Sequence, residues 1–294
     1  MTILVTGATG TVGSKVLHFL NGGGADVRAL TRSPDKAKLP AGVTAVQGDL
    51  GDVDSIRAAM NGVSTLFLVV GNTTDELSKA MLTLNVARDA KVKGIVYLSV
   101  FKGEDYADVP HFASKVVIER MIEVYDLPAT ILRPCYFFQN DAQQKDALLT
   151  HSVYGMPIGR TGLSLVDTRD IGEAAAKELL RREQSATPLP RERYALVGPD
   201  VLTGPDLAAL WSRQLGYPIT YGGDDLAAFE QSLRAVIPNS RAYDIAIMMR
   251  RYQIDGAIAS TAEIEKLTGL LGHPPRSYSD FARELAAAWK SIQA

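Results

Sequence analysis

Three glycines near the start of the chain are spaced so that backbone could approach a phosphate group closely. Gly7, Gly10 and Gly13 separate an apolar stretch, residues 2–6, from a helical pattern that begins at Thr11. Gly7 permits a sharp turn, Gly10 leaves room for a pyrophosphate, and Gly13 lets the helix pack closely on the strand. The helix amides then face the phosphates. The alternative is a glycine turn that only joins a strand to a helix.

The residues at the end of the second predicted strand indicate which dinucleotide binds. An acid at the end of the second strand binds the ribose 2′-hydroxyl of NAD, whereas an arginine accommodates the 2′-phosphate of NADP. Here Arg32 stands at that point, followed by Ser33 and Lys36, and no acid ends the strand. A guanidinium binds a phosphate through two parallel hydrogen bonds. The sequence therefore favours NADP(H); the alternative is that Arg32 is a solvated surface residue.

The segment Thr6-Gly-Ala-Thr-Gly-x-x-Gly13 resembles the extended and atypical members of the short-chain dehydrogenase/reductase superfamily. Typical members reduce carbonyls with a serine and a Tyr-x-x-x-Lys pair, in which both side chains lie one helical turn apart on one face. Ser99 ends the fifth predicted strand, and Lys115 follows on the next helix. The tyrosine position is occupied by His111, which is the main departure from the superfamily pattern.

Two further motifs narrow the resemblance. The segment Leu132-Arg-Pro134 is followed by an aromatic stretch ending at Asn140, and Val166-Asp-Thr-Arg-Asp-Ile171 comes later. Together with the tyrosine replacement, these motifs make the chain similar to the NmrA-like atypical members. That group includes quinone reductases, isoflavone-type reductases and redox-sensing regulators.

The resemblance implies roles for particular residues. The catalytic set is Lys115, which would hold the nicotinamide ribose, His111, which would act as a general acid, and Ser99. The remaining expected cofactor contacts are Thr9, Thr11, Val12, Asp49, Leu50, Val70, Gly71 and Tyr136. The expected substrate contacts are Tyr136, Phe137 and Phe138.

Each of these roles has a structural alternative. Asp49 would equally well cap the following helix, and Gly71 is also an ordinary turn signal. The aromatic stretch 136–138 would equally well be core, and His111 would fill space at a helix start. Cys135 beside that stretch is an inert filler or a redox-active thiol.

The replaced tyrosine indicates which acceptor suits the site. A quinone needs little proton donation after hydride transfer, because the hydroquinone anion is already a tolerable product. We therefore expect an NADPH-dependent oxidoreductase that acts on a quinone or a similar small aromatic or conjugated substrate. The alternative is a non-catalytic NADP(H) sensor that acts through protein partners. An epimerase or dehydratase is a third possibility, although those enzymes also generally need the tyrosine.

The elements that would position these residues alternate along the first half of the chain. Strands are predicted at 2–6, 25–30, 43–47, 64–69, 94–99 and 128–132, with helices at 11–22, 52–61, 73–91 and 111–125. Such alternation predicts an α/β, Rossmann-type, doubly wound parallel sheet.

Beyond residue 134 the alternation fails, and we expect a smaller, mostly helical substrate region. Short strands are predicted at 152–155 and 162–165, a surface loop at 183–193, and helices at 169–182, 203–215, 224–235, 239–252, 261–271 and 278–291. The predicted domains are a nucleotide-binding domain at 1–150, on which 163–182 packs back, and a substrate or lid region at 183–294.

The composition limits the remaining classes. The chain has 46% hydrophobic and 22% charged residues and a net charge of −2, so we expect a soluble core with no nucleic-acid or membrane contact. Met1 leads directly into a strand, which predicts no targeting peptide. The single cysteine fits a reducing cytoplasm, and the four histidines show no metal-ligand spacing. Both a monomer and a homodimer are compatible with the sequence.

Overall fold

The computed structural model describes the backbone of residues 2–293 and the side chains of residues 2–291. Nine strands are present in that part of the chain. They are β1 Thr2–Val5, β2 Asp26–Thr31, β3 Val43–Gln47, β4 Thr65–Leu68, β5 Gly94–Leu98, β6 Ala129–Pro134, β7 Val153–Tyr154, β8 Glu192–Leu196 and β9 Thr220–Tyr221. The first six follow the predicted strands closely, because buried parallel strands are short apolar runs bounded by turn residues.

Seven of these strands form one sheet in the order β3-β2-β1-β4-β5-β6-β8. The neighbours from β3 to β6 run parallel, with Ile3 of β1 level with Val27 of β2 and Thr65 of β4. The chain moves outward from β1 to β3, returns to β4 beside β1, and then moves outward the other way. This order defines a doubly wound Rossmann-type sheet, so the predicted fold class is confirmed.

Eleven α-helices lie in the described residues. They are α1 Thr11–Leu20, α2 Val53–Met60, α3 Glu76–Asp89, α4 Pro110–Val124, α5 Lys145–Leu149, α6 Thr168–Gln184, α7 Gly204–Leu215, α8 Leu226–Arg234, α9 Asn239–Asp255, α10 Thr261–Leu271 and α11 Tyr278–Gln293. Helix α1 packs against α6, and α2 packs against α3. A core cluster joins strand side chains such as Leu66 to Ile56 of α2, Leu84 of α3 and Ile122 of α4. No helix among these eleven combines the length and the apolar character needed to cross a bilayer.

The chain divides into two compact units. The first unit comprises Met1–Glu104, His111–Arg133 and Thr168–Tyr194, and the second comprises Asp105–Pro110, Pro134–Asp167 and Ala195–Ala294. The first unit contains α6, which overlaps most of the segment 163–182 that was predicted to pack back on the nucleotide-binding domain, whereas residues 163–167 belong to the second unit. The predicted functional boundaries at residues 150 and 183 stay a prediction.

The second unit is mostly helical. Its two short strands, β7 and β9, pair in parallel, with Val153 level with Thr220. Its core is aromatic, and the Trp211 ring stacks on Trp289 with 5.2 Å between the ring centroids. The predicted helices of this region agree with α7 to α11 at most of their ends.

Two local predictions are wrong. Residues 162–165 do not form a strand, and only Leu163 makes isolated bridges, to Leu202 and Ala257. The predicted surface loop at 183–193 is shorter, because α6 continues to Gln184 and β8 begins at Glu192. Strand β8 lies at the edge of the sheet and is mostly half-exposed, so it lacks the apolar run that marks the other strands.

Candidate functional site

The glycine loop between β1 and α1 is a tight turn that has no room for a Cβ atom at Gly7 or Gly13. Gly7 has φ of +55°, and a Cβ there would lie 2.7 Å from Val69 Cγ1. The Gly10 amide donates to the Gly7 carbonyl oxygen at 2.9 Å. A Cβ at Gly13 would lie 2.2 Å from that same oxygen, so only glycine is compatible with this turn. Its backbone holds Gly7, Thr9 and Gly10 on the exposed surface.

The N-terminus of α1 suits an anion. The helix begins at Thr11 after Gly10, without a side-chain cap and without an acidic residue in its first turn. The first amides of an α-helix have no partner within the helix, and the positive end of the helix dipole lies beside them. A phosphate that accepts from these amides satisfies both features. Thr11 is exposed, whereas Val12 is 6% exposed and packs inward.

Arg32 follows the last residue of β2 and is exposed. In the described part of the chain, no hydrogen bond or ion pair engages its guanidinium group. The next residues form a short 3-10 turn, Pro34–Lys36, which contains Lys36. A cation without a protein partner is therefore placed at the strand end where dinucleotide-binding folds meet the adenine ribose.

Asp49 follows β3 and does not cap α2. The cap is Asp52, whose carboxylate accepts from the amides of Asp54 and Ser55. The Asp49 carboxylate instead accepts from the Gly51 amide at 2.8 Å, and the Asp49 amide donates to Ser55 Oγ at 2.8 Å. The capping alternative for Asp49 is therefore wrong, and Asp49 and the half-buried Leu50 stay predicted cofactor contacts.

The backbone after β4 is anchored on one side and open on the other. The Val69 amide donates to Thr6 Oγ1 at 2.9 Å, and this hydroxyl donates to the Val69 carbonyl at 2.8 Å. Val70 is buried, whereas Gly71 is exposed and has no atom within 4 Å of the place where a Cβ would stand. The space beside Gly71 is compatible with its predicted role as a cofactor contact.

Lys115 lies on α4 and forms an ion pair with a carboxylate that the sequence did not single out. Its Nζ lies 2.5 Å from Oε1 of Glu76, the first residue of α3. The Lys115 side chain is 13% exposed and that of Glu76 is 5% exposed. The second carboxylate oxygen of Glu76 is buried and has no hydrogen-bond partner. Lys115 is thus a cation held at a fixed place, with donors left over for a ligand.

Ser99 is engaged elsewhere. Its hydroxyl is 2% exposed and donates to Oε1 of Glu119, which lies one turn beyond Lys115 on α4. Arg133 donates to both oxygens of the same carboxylate, from Nε to Oε1 at 3.0 Å and from Nη2 to Oε2 at 2.5 Å. The structure therefore joins Ser99 and Lys115 to different carboxylates. A catalytic role for Ser99 stays a prediction and would require its hydroxyl to leave Glu119.

His111 is the second residue of α4 and is half-buried, with its ring edge-on to Phe112 at 4.7 Å between centroids. It lies one turn before Lys115 on the same helix, as its predicted role requires. The neighbouring strand carries a buried tyrosine, Tyr97. Burial raises the pKa of Tyr97 well above its ordinary value, and the charges of Glu76 and Glu119 raise it further. Tyr97 therefore stays neutral beside these two carboxylates.

The aromatic stretch of the second unit is largely buried. Phe138 is 1% exposed and packs on the rings of Tyr278 and Phe281. Tyr136 is 5% exposed and donates to Asp141 at 3.4 Å. Of the three predicted substrate contacts, Phe137 is the one that keeps a partly exposed side chain.

Cys135 lies beside this stretch and is fully enclosed. Burial raises the pKa of its thiol to about 12. A thiol that stays protonated is a poor nucleophile, so the inert alternative applies to Cys135.

The sequence analysis did not identify three charged residues that form ion pairs in the first unit. Glu76 pairs with Lys115, and Glu119 pairs with Arg133. A weak signal was present for one of them, because Glu119 follows Lys115 by four residues and therefore shares its helix face.

Solved structures with the same architecture include two oxidoreductases with NADP(H) bound. The NADPH-dependent quinone oxidoreductase QOR2 of Escherichia coli, solved with NADPH, superposes with a TM-score of 0.85 at 26% identity and covers 96% of this chain and 99% of that one. The triphenylmethane reductase of Citrobacter sp., solved with NADP(H), has a TM-score of 0.83 at 23% identity, over 97% of this chain and all of that one. The latter likeness concerns the fold alone.

Relatives in sequence cover the whole chain. An NAD(P)H azoreductase of Xenophilus azovorans is 28% identical over 98% of this chain and 99% of its own length. A (4-alkanoyl-5-oxo-2,5-dihydrofuran-3-yl)methyl phosphate reductase of Streptomyces griseus is 30% identical over 98% of this chain and 99% of its own length. Residues 1–273 match the NmrA-like family. The chain belongs to the NmrA-like family, as its motifs predicted.

Proposed function

We propose that this protein is an NADP(H)-dependent oxidoreductase that reduces a small conjugated acceptor such as a quinone. Two observations together carry the proposal. The glycine loop at the uncapped start of α1 has no room for a Cβ at Gly7 or Gly13, and Arg32 after β2 pairs with no group among the described residues. The first feature suits a pyrophosphate and the second suits a 2′-phosphate. NADPH is also the ligand named for the QOR2 structure.

Different residues of the first unit would bind different parts of the dinucleotide. The loop from Gly7 to Gly13 would take the pyrophosphate, Arg32 the 2′-phosphate, and the backbone at Gly71 the nicotinamide half. Lys115 would donate from its ammonium group to a ribose hydroxyl, which fixes the distance between the cofactor and the acceptor. When bound, the cofactor supplies a hydride to the acceptor.

The proton requirement of a quinone acceptor is compatible with the proton donor that the chain provides. Reduction of a quinone by NADPH consumes one hydride and one proton and yields NADP⁺ and the hydroquinone. A histidine gives and takes protons near neutral pH, so His111 would supply that proton. The names of the relatives, an azoreductase, a furanone phosphate reductase and a quinone oxidoreductase, share an acceptor of conjugated type.

The second candidate function is an NADP(H) sensor that acts through protein partners. The engagement of Ser99 with Glu119 favours it, because the hydroxyl that typical members offer to a carbonyl substrate is occupied here. The negative transcriptional regulator NMRA, solved with NADP, shares the fold at a TM-score of 0.78 and 19% identity. The ion pair that holds the half-buried Lys115 supports the enzyme, since a sensor has no need of a cation fixed in the site.

The test is NADPH oxidation by the purified protein across quinones, azo compounds and enones. We expect turnover by the wild type and a loss in kcat/KM of about 10²-fold or more in Lys115→Ala, because a positioned charge at the reacting centre is removed. Lys177→Ala, which removes an exposed lysine paired with Glu173, is the control and should keep full activity. A wild type that binds NADPH but reduces nothing supports the sensor, and full activity in Lys115→Ala contradicts the site.

A further inference from the structure

The Glu76 carboxylate is the feature of the first unit that the proposed function leaves unexplained. It is a charged group, 4% exposed, on the first residue of α3, and its Oε1 lies 2.5 Å from Lys115 Nζ. We propose that Glu76 is the positioning residue for Lys115, which holds the ammonium group at the place where it meets the cofactor. The inference rests on the proposed function, because that function gives Lys115 its role.

A lysine needs such a partner in order to act at one place. Its four-carbon chain has many rotamers, and its ammonium group is a point charge without intrinsic directionality. Glu119 lies on the same face of α4 as Lys115, but its carboxylate already accepts from Ser99 and, at both oxygens, from Arg133. In the described part of the chain, the two half-buried cations of this region therefore pair with different buried carboxylates, Arg133 with Glu119 and Lys115 with Glu76. Arg133 also pairs with the exposed Glu104 at 2.8 Å.

The position of Glu76 in the chain connects two predicted parts of the cofactor site. The amide of Glu76 donates to the Thr73 carbonyl at 3.0 Å, which ties the start of α3 to the loop that follows β4. That loop contains Val70 and Gly71, the predicted backbone contacts of the cofactor. The ion pair to Lys115 therefore links this loop to α4.

The unpartnered oxygen of Glu76 argues against a role in stability alone. Oε2 is buried and accepts no hydrogen bond from the described residues, and an unsatisfied buried acceptor is destabilising. Buried ion pairs are often no better for stability than well-packed apolar residues of similar size. A negative charge beside Lys115 is therefore better explained by the need to hold the ammonium group in place than by a contribution to stability.

The experiment is a double-mutant cycle on Glu76→Gln and Lys115→Ala, with kcat/KM for a quinone and the NADPH dissociation constant as readouts. Glu76→Gln preserves the shape and one acceptor but removes the charge. We expect it to lower kcat/KM about tenfold or more in the wild type and to have no further effect in Lys115→Ala, because it acts through the lysine. Glu76→Asp, which keeps the charge one methylene back, should recover part of the loss.

Asp75→Asn is the matched control. Asp75 directly precedes α3, is half exposed and pairs with Lys79 of α3 at 2.8 Å. Removal of its charge should therefore leave both readouts unchanged. If Glu76→Gln fails to fold, Glu76→Asp takes its place in the cycle, with a loss expected only when Lys115 is present.

The outcomes separate this inference from the proposed function. Losses that multiply in the double variant, or wild-type kinetics in Glu76→Gln, would overturn the positioning role while leaving the reductase intact. A wild type that neither binds nor oxidises NADPH would refute the proposed function and the inference with it.

Discussion

Two buried carboxylates, one in each unit, have different hydrogen-bond partners. In the first unit, Glu119 is 3% exposed and is bonded by the guanidinium of Arg133 and the hydroxyl of Ser99. In the second unit, Asp141 is fully buried and accepts from neutral groups, the hydroxyls of three tyrosines. One carboxylate thus has a cation to offset the loss of water, and the other has only hydrogen bonds.

The consequence is visible in the ionisation of Asp141. Burial raises the pKa of Asp141 to about 6, although the hydrogen bonds from Tyr278, Tyr154 and Tyr136 act in the opposite direction. The same enclosure raises the pKa of each of these tyrosines well above its ordinary value, so they stay donors. Hydrogen bonds from three neutral hydroxyls therefore do not offset the loss of water from the Asp141 carboxylate.

The largest expected effect is the removal of the cation from the first unit. Arg133→Met would leave the buried charge of Glu119 with Ser99 and, at 4.0 Å, with Arg193. Breaking a buried ion pair from one side costs about 3–5 kcal/mol, and Arg193 places this case near the lower end. Denaturant unfolding measures the loss. Arg120→Met, which removes an exposed arginine of α4, the helix that carries Glu119, should change the free energy of unfolding by less than about 0.5 kcal/mol; an equal loss in both variants would contradict the comparison.

The next effect is the pH dependence that Asp141 gives the protein. Because the pKa of Asp141 is raised on folding from 3.8 to about 6, the folded state holds the proton more tightly. The stabilisation is complete below about pH 4 and is lost as the pH rises through 6. Relative to Asp141→Asn, the wild type should lose about 2–3 kcal/mol between pH 4 and pH 7.

The measurement for Asp141 is the difference in free energy of unfolding between wild type and variant across that range, which cancels the other carboxylates. Asp146→Asn is the control, because Asp146 is nearby in sequence but exposed. Parallel pH profiles for wild type and Asp141→Asn would show that Asp141 ionises alike in the folded and unfolded states.

A smaller effect is expected from one tyrosine of the second unit. Tyr278 donates to Asp141 at 2.5 Å and accepts from Trp211 Nε1 at 3.0 Å. Tyr278→Phe removes both bonds and should destabilise the protein by about 1–2 kcal/mol at pH 7. It should also raise the pKa of Asp141, because this bond favours the charged form, so the loss should shrink at pH 4. A loss that is the same at both pH values would contradict the assignment.

The sequence was informative where chemistry is local. The glycine loop, the strand end at Arg32 and the six apolar strands are encoded in contiguous residues, and their predicted positions agree with the structure. The buried charges were not predictable in this way, because their partners are far apart in the chain. Glu76 precedes Lys115 by 39 residues, and Asp141 precedes Tyr278 by 137. Strand β8 was missed because an edge strand needs no apolar pattern.

The central claim, that the first unit binds NADP(H), is tested most directly by fluorescence titration of NADPH and NADH. The wild type should bind NADPH more tightly, and Arg32→Ala should weaken NADPH binding about tenfold to a hundredfold while leaving NADH unchanged, since a charge-assisted phosphate contact contributes about 1.5–3 kcal/mol. Lys38→Ala removes a nearby exposed charge and should have little effect. Equal affinities for the two dinucleotides, or NADPH binding that Arg32→Ala leaves intact, would contradict the account.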